Sequence, residues 1–163
     1  MTPVELFAPL PARLASRYRR AQHVHTTYDC FGAVAAEYTF FTGPQVLYVR
    51  WQGHVTSDEL VRAAQVGLQL NLQWQPRGLF HDTRGTSGEW GEASSWVVHE
   101  WIPSIQAQCP HLRGIAFLLE QGMPMPYANQ QLMGHLREQF ELHVFYSPTL
   151  AWQWLDERTK GAA

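Results

Sequence analysis

Cysteine and lysine are scarce in this sequence, and long hydrophobic runs are absent. Cys30 and Cys109 are the two cysteines in 163 residues, and no Cys-x-x-Cys spacing occurs. A disulfide-dense secreted scaffold is thereby excluded, and the pair read as reduced, partly buried thiols. Lysine occurs once, at Lys160, against eleven arginines. Several of those arginines lie far apart, so the skew reads as coding bias before function. Charged residues make up 16% and the formal net charge is −2, which gives no global attraction to nucleic acid or to an anionic membrane. No apolar run approaches the length of a membrane span. The first residues lack the charged start, apolar stretch and small-residue cleavage site of a signal peptide, so the expected location is the cytoplasm. Phosphate-binding loops of the Walker and Gly-x-Gly-x-x-Gly types are missing. Gly85-Thr86-Ser87-Gly88 does not have the spacing of a nucleophile elbow.

What is present suits one globular domain. Hydrophobic residues reach 45%, and a chain of this length can bury one core. Residues 1–30 read as an N-terminal extension and residues 31–163 as the domain proper. The extension carries Arg13, Arg17, Arg19 and Arg20, with Leu10, Leu14, Tyr18 and Ala21 at helical spacing. A short amphipathic helix packed on the domain's flank is expected there.

Glu37 to Phe41 and Gln45 to Gln52 read as two strands joined at Thr42-Gly43-Pro44. In the second strand both faces carry sizeable side chains, which predicts a central position. Thr56 and Glu59 have the spacing of a capping box, and Val55 and Leu60 that of a hydrophobic staple. The helix they start carries the stripe Leu60, Ala64, Gly67, Leu68 and Asn71. Arg77 to Asp82 is a short strand. A helix to about Gln108 follows, with Ala93, Val97, Trp101 and Ile105 on one stripe. Pro103 predicts a kink or broken turn, because it lacks an amide proton and crowds the carbonyl of His99. Arg113 to Leu119 is a strand, Ala128 to Phe140 a helix and Leu142 to Tyr146 a strand. The last helix runs from Pro148 to Arg158, capped by Ser147. The order β-β-α-β-α-β-α-β-α predicts a mixed five-stranded sheet in an α/β domain.

That order, and above all residues 81 to 105, resembles the SpoIIAA-like (STAS-like) proteins. The resemblance rests on Asp82 at a strand end, Arg84, Gly88, Trp90, Trp96, Trp101 and Pro103, and on the terminal Ala151 to Leu155. It implies the fold and a non-catalytic regulatory or protein-interaction role in bacterial signalling. In STAS antagonists an Asp-Ser-Ser-Gly turn carries a phosphorylated serine; the corresponding turn here is Asp82-Thr83-Arg84-Gly85. Thr83 is therefore the candidate phosphorylation position, although Arg84 replaces the second serine. A phosphate there would place nearly two negative charges beside Asp82, with Arg84 available to pair.

In an open α/β sheet a site forms beyond the carboxyl ends of the strands. Asp82, Arg84, Trp90, Trp96, Met123, Met125 and Tyr127 fall there, and together they suit an apolar cleft with two polar groups. The competing reading makes Asp82 and Arg84 a structural ion pair and puts the tryptophans in the core. His99-Glu100 lacks the second histidine of a zinc-protease motif. Adjacent helical residues also point about 100° apart, so the two do not face one substrate. His23 and His25 share a face if they lie on a strand, but two ligands are too few for a metal site. His54, His81, His111, His135 and His143 are scattered. No metal, cofactor or nucleic-acid partner is expected. The sequence ranks a regulatory domain with an unknown protein partner first and a carrier or sensor of a small apolar or amphipathic ligand second. An enzyme comes last. Seven tryptophans make an apolar surface patch and a homodimer reasonable.

Overall fold

Strict alternation of side chains along the central strands decides the architecture. The structure, a computed structural model, describes residues 12–161. Its strands are β1 (Ala21–Tyr28), β2 (Val34–Phe41), β3 (Val46–Trp51), β4 (Gly53–His54), β5 (Gly78–Asp82), β6 (Thr86–Ser87), β7 (Gly114–Leu118) and β8 (Leu142–Phe145). Its longer helices are α1 (Ser57–Trp74), α2 (residues 94–108), α3 (Tyr127–Gln139) and α4 (Pro148–Thr159). A six-stranded mixed sheet runs β1-β2-β3-β5-β7-β8, and β4 and β6 form a separate two-residue ladder. β1, β2 and β3 pair antiparallel, while β5, β7 and β8 run parallel to β3.

The sheet has one strand more than the five expected. The additional strand, β1, comes from the segment read as an extension, where threonines, valine and tyrosine suit an edge strand. The amphipathic helix expected around Leu14, Tyr18 and Ala21 does not form among the described residues. Only a 3₁₀ turn, Ala12–Leu14, is present, and Ala21 already opens β1; Leu10 lies outside the described residues. The apolar pair does bury, because Leu14 and Tyr18 pack on Phe41 and Trp152. A register shift in β1 falls between His23 and His25, and both histidines are exposed.

From β3 onward each crossover advances one strand in the same direction. A common hand of connection then puts α1, α2 and α3 on one face. On that face Leu47 and Val49 of β3, Leu79 of β5, and Ile115 and Phe117 of β7 meet Leu60, Val97, Trp101 and Leu132. The alternate residues Val46, Tyr48, Phe80, Ala116 and Leu118 point the other way, onto Trp152 and Leu155 of α4. α4 comes close because Gly78 carries no side chain; a Cβ there would sit 3.1 Å from both Leu155 and Thr159.

The capping box forms as expected. The Glu59 amide donates to Thr56 Oγ1 at 3.3 Å, and the Thr56 amide donates to Glu59 Oε2 at 3.2 Å. α2 answers Pro103 in its own way. Val97–Trp101 forms a wide π turn in which the Ile102 amide donates to the Val97 carbonyl. An α-helix then resumes over Ile102–Gln108. The wider ring accommodates a residue that would otherwise crowd the preceding turn, so the broken turn expected at Pro103 falls just before it.

Candidate functional site

The carboxyl ends of β5 and β7 meet at a loop that is fixed by polar contacts. Asp82 ends β5 and is buried. Its Oδ1 accepts from Arg84 Nε at 3.0 Å and its Oδ2 from Arg84 Nη2 at 2.7 Å, a two-pronged pairing. The Tyr48 hydroxyl also donates to Oδ2, at 2.5 Å. Burial first, and the adjacent Asp82 carboxylate second, hold the Tyr48 phenol far above its usual range. The same carboxylate, by hydrogen bonding and charge, raises the Arg84 guanidinium.

Thr83 follows on the opposite side of the chain. Its hydroxyl is buried and donates to the Leu118 carbonyl at 2.8 Å, while its amide donates to the same oxygen at 3.0 Å. A phosphate-transferring enzyme would reach that hydroxyl only after the β5–β7 junction had opened. Farther along, Gly88 at φ +122° brings its backbone against Val55, where a Cβ would meet the carbonyl at 1.9 Å. Trp90 then turns inward, its indole N–H donating to the Val55 carbonyl at 3.0 Å. The buried Asn129 clamps this loop by accepting from the Trp90 amide at 2.8 Å and donating to the Gly88 carbonyl at 3.0 Å.

Behind Trp90, between the sheet and α1, α2 and α3, lies a cavity of about 70 Å³. Trp51, Trp90, Trp101, Phe117, Tyr38 and Leu132 supply much of its wall, and no Asp, Glu, Lys or Arg side chain lines it. Thr83, His81 and Asn71 interrupt the apolar surface with polar side chains. His81 accepts at Nδ1 from the Trp51 indole at 3.1 Å, which fixes the ring proton on Nε2. The ring stacks on Phe117 at 4.7 Å, and burial lowers its pKa to about 4. Asn71, on α1, donates from Nδ2 to the Gly67 carbonyl at 2.8 Å. Its Oδ1 is buried without a hydrogen-bond partner among the described residues.

A second, outer cleft of about 210 Å³ lies under the loop after β7, where Met123, Pro124 and Met125 face Thr86 and Ser87. Thr83 and Trp90 line both spaces and so stand between them.

The residues expected to share one pocket are thus divided. Trp90, Met123 and Met125 line the outer cleft together, and Trp90 also lines the inner cavity. Trp96 is half-buried against the core, while Tyr127 is 74% exposed. Asp82 and Arg84 lie on the other side of the sheet with Tyr48, and neither lines the cavity nor the outer cleft. The period of two along β5 explains this: His81 and Thr83 face the helices that cover the cavity, so Asp82 between them faces away. His99 and Glu100 are both exposed on α2. No cluster of three or more metal-ligating side chains occurs among the described residues.

His81 and Asn71 were not legible as site residues. His81 was one of several scattered histidines, and Asn71 one position of an amphipathic stripe. The signal was there: His81 is two residues from Leu79 on a strand, and Asn71 four from Gly67 on a helix. Each therefore shares a face with core residues.

No family model matches the sequence, and no curated protein matches it. One solved structure to which the chain is similar is an uncharacterized protein of the DUF3478 family, with a SpoIIAA-like fold, from Shewanella loihica PV-4. The similarity has 13% identity and a TM-score of 0.44, and covers 83% of this chain and 93% of that one. The fold named there is the one that residues 81 to 105 resemble. The likeness carries no activity with it. Among the described residues, no helix is long and apolar enough to cross a membrane.

Proposed function

We propose that this protein is a non-catalytic carrier or sensor holding a small, predominantly apolar ligand in the cavity beneath α2. One observation carries this reading: a space of about 70 Å³, walled by aromatic and aliphatic side chains, between the sheet and the helices that cover it. Protein interiors are close-packed. At the cost known for engineered cavities, an empty void of this size forfeits about 2 kcal/mol, which an apolar occupant would offset. Binding rather than catalysis is supported by the engagement of the titratable groups. Asp82 is committed to Arg84 and Tyr48, and His99 and Glu100 are on the exposed side of α2.

The regulatory reading, which the sequence ranks first, keeps one supporting observation. Tyr28 and Phe31, at the β1–β2 tip, are 61% and 91% exposed, as an apolar contact for a protein partner would be. The two readings combine in a cytoplasmic sensor that reports ligand occupancy to such a partner.

Native mass spectrometry of freshly purified protein tests the ligand reading. The expected result is a small mass excess that is lost on denaturation and absent from Ala64→Leu, which fills the cavity. A bare mass, together with no thermal stabilisation by toluene, would overturn it.

A further inference from the structure

The inner cavity has more chemistry than an apolar hole. Four of its indole and hydroxyl donors are already used: Trp51 on His81, Trp90 on Val55, Thr83 on Leu118, and the Tyr38 hydroxyl on the Ala63 carbonyl at 2.6 Å. What remains among the lining side chains is one acceptor, Asn71 Oδ1, and two donors, His81 Nε2–H and the Trp101 indole N–H. The amide orientation of Asn71 is set by its neighbour. The Gly67 carbonyl can only accept, so the group against it is Nδ2 and Oδ1 faces away. Asn71 is 4% exposed and lines the cavity, so its oxygen is removed from bulk water. A buried acceptor left without a partner costs free energy, and native proteins rarely leave one.

We propose that the cavity selects a small neutral ligand carrying a hydroxyl group, which donates to Asn71 Oδ1 while its apolar body fills the space among Trp51, Trp101 and Phe117. This rests on the ligand reading above. A hydroxyl both donates and accepts, so it satisfies Asn71 and remains able to accept from a donor such as His81 Nε2–H. The wall contains no cationic side chain, and His81 is neutral at pH 7, so a carboxylate or phosphate would enter without a counter-charge. Anions are therefore excluded, and the ligand is an alcohol or phenol. Its size is bounded as well. The cavity is about half the volume of an engineered apolar cavity of ~150 Å³ that accepts benzene. The occupant is thus no larger than a single small ring or branched chain, and a ring enters only if the walls move outward.

Phenol and toluene, equal in size and differing in the donor, are the test. Both are titrated calorimetrically against the full chain at pH 7, where phenol is uncharged. Phenol should bind about five- to tenfold tighter than toluene, the ratio expected of one net hydrogen bond. Asn71→Leu should erase that preference and leave toluene binding within about twofold of its original value. The unmodified chain supplies a check that needs no variant: phenol, and not toluene, should shift the Asn71 side-chain amide resonances. Equal binding of phenol and toluene would overturn the hydroxyl selection and leave the apolar-ligand reading standing. A preference that survives in Asn71→Leu, or a phenol complex with unshifted Asn71 amide resonances, would overturn Asn71 as the selecting group. Failure of both compounds to bind would remove the cavity reading itself.

Discussion

At the scale of single residues, two polar groups near the β5 end have opposite duties. Arg84 is a structural partner. Removing its side chain leaves a buried carboxylate that, among the described residues, keeps the Tyr48 hydroxyl and the backbone amide of residue 84 as donors. Because the guanidinium is 35% exposed, the loss is moderate. Arg84→Ala should cost about 1–3 kcal/mol in chemical denaturation, with ligand retention unchanged. A stability change under about 0.5 kcal/mol would mean that Tyr48 and the backbone suffice. His81 couples stability to pH. Its native pKa is lowered to about 4 by burial, from an ordinary value of 6.5. Between these values the unfolded chain binds a proton that the native protein does not. The contribution is therefore complete above pH 6.5 and falls away as pH drops to about 4, by at most about 3 kcal/mol. His81→Phe should flatten that part of the stability profile; an unchanged slope would assign it to other groups.

At the scale of elements, α2 is where packing and irregularity meet. Val97, Trp101 and Ile105 are all buried on the stripe that the sequence predicts. Trp101→Ala should cost about 3–5 kcal/mol by lost transfer energy plus an enlarged cavity. A loss below 1 kcal/mol in denaturant titration would place that face in solvent. The stripe was legible because apolar periodicity survives the π turn. The turn itself was not, since only the conflict at Pro103 was visible and a kink would have answered it equally well. The same division holds for the site. Periodicity indicated that Trp101 is core. It did not bring Asn71 of α1 and His81 of β5 to one cavity, because that depends on how α1 and α2 seat on the sheet. The pairing of Asp82 with Arg84 was one of two readings the sequence allowed, and Tyr48, two residues past Val46 on β3, carried no mark as its third member.

At the scale of the whole molecule, the order of the longer elements from β2 onward was readable from alternating periodicities, while β1 and the short ladder of β4 and β6 were not. The exposure pattern of β1 follows no regular alternation, and a register shift interrupts it. The consequence is measurable. A chain beginning at residue 31 would lose β1 from the sheet, and Leu14 and Tyr18 from the packing around Phe41 and Trp152. It should be less stable by about 3–6 kcal/mol, a large share of what a domain has. Equal denaturation midpoints for the two lengths would show that residue 31 starts an autonomous unit. The second core joins distant parts of the chain. Tyr18 packs on Trp152, and the Arg17 guanidinium pairs with Asp156, 139 residues away. During synthesis on a ribosome, Phe41, Tyr48 and Phe80 must therefore wait with one flank uncovered until α4 has emerged. A stalled or truncated nascent chain would present those rings to chaperones, whereas the α1–α3 side could already have closed.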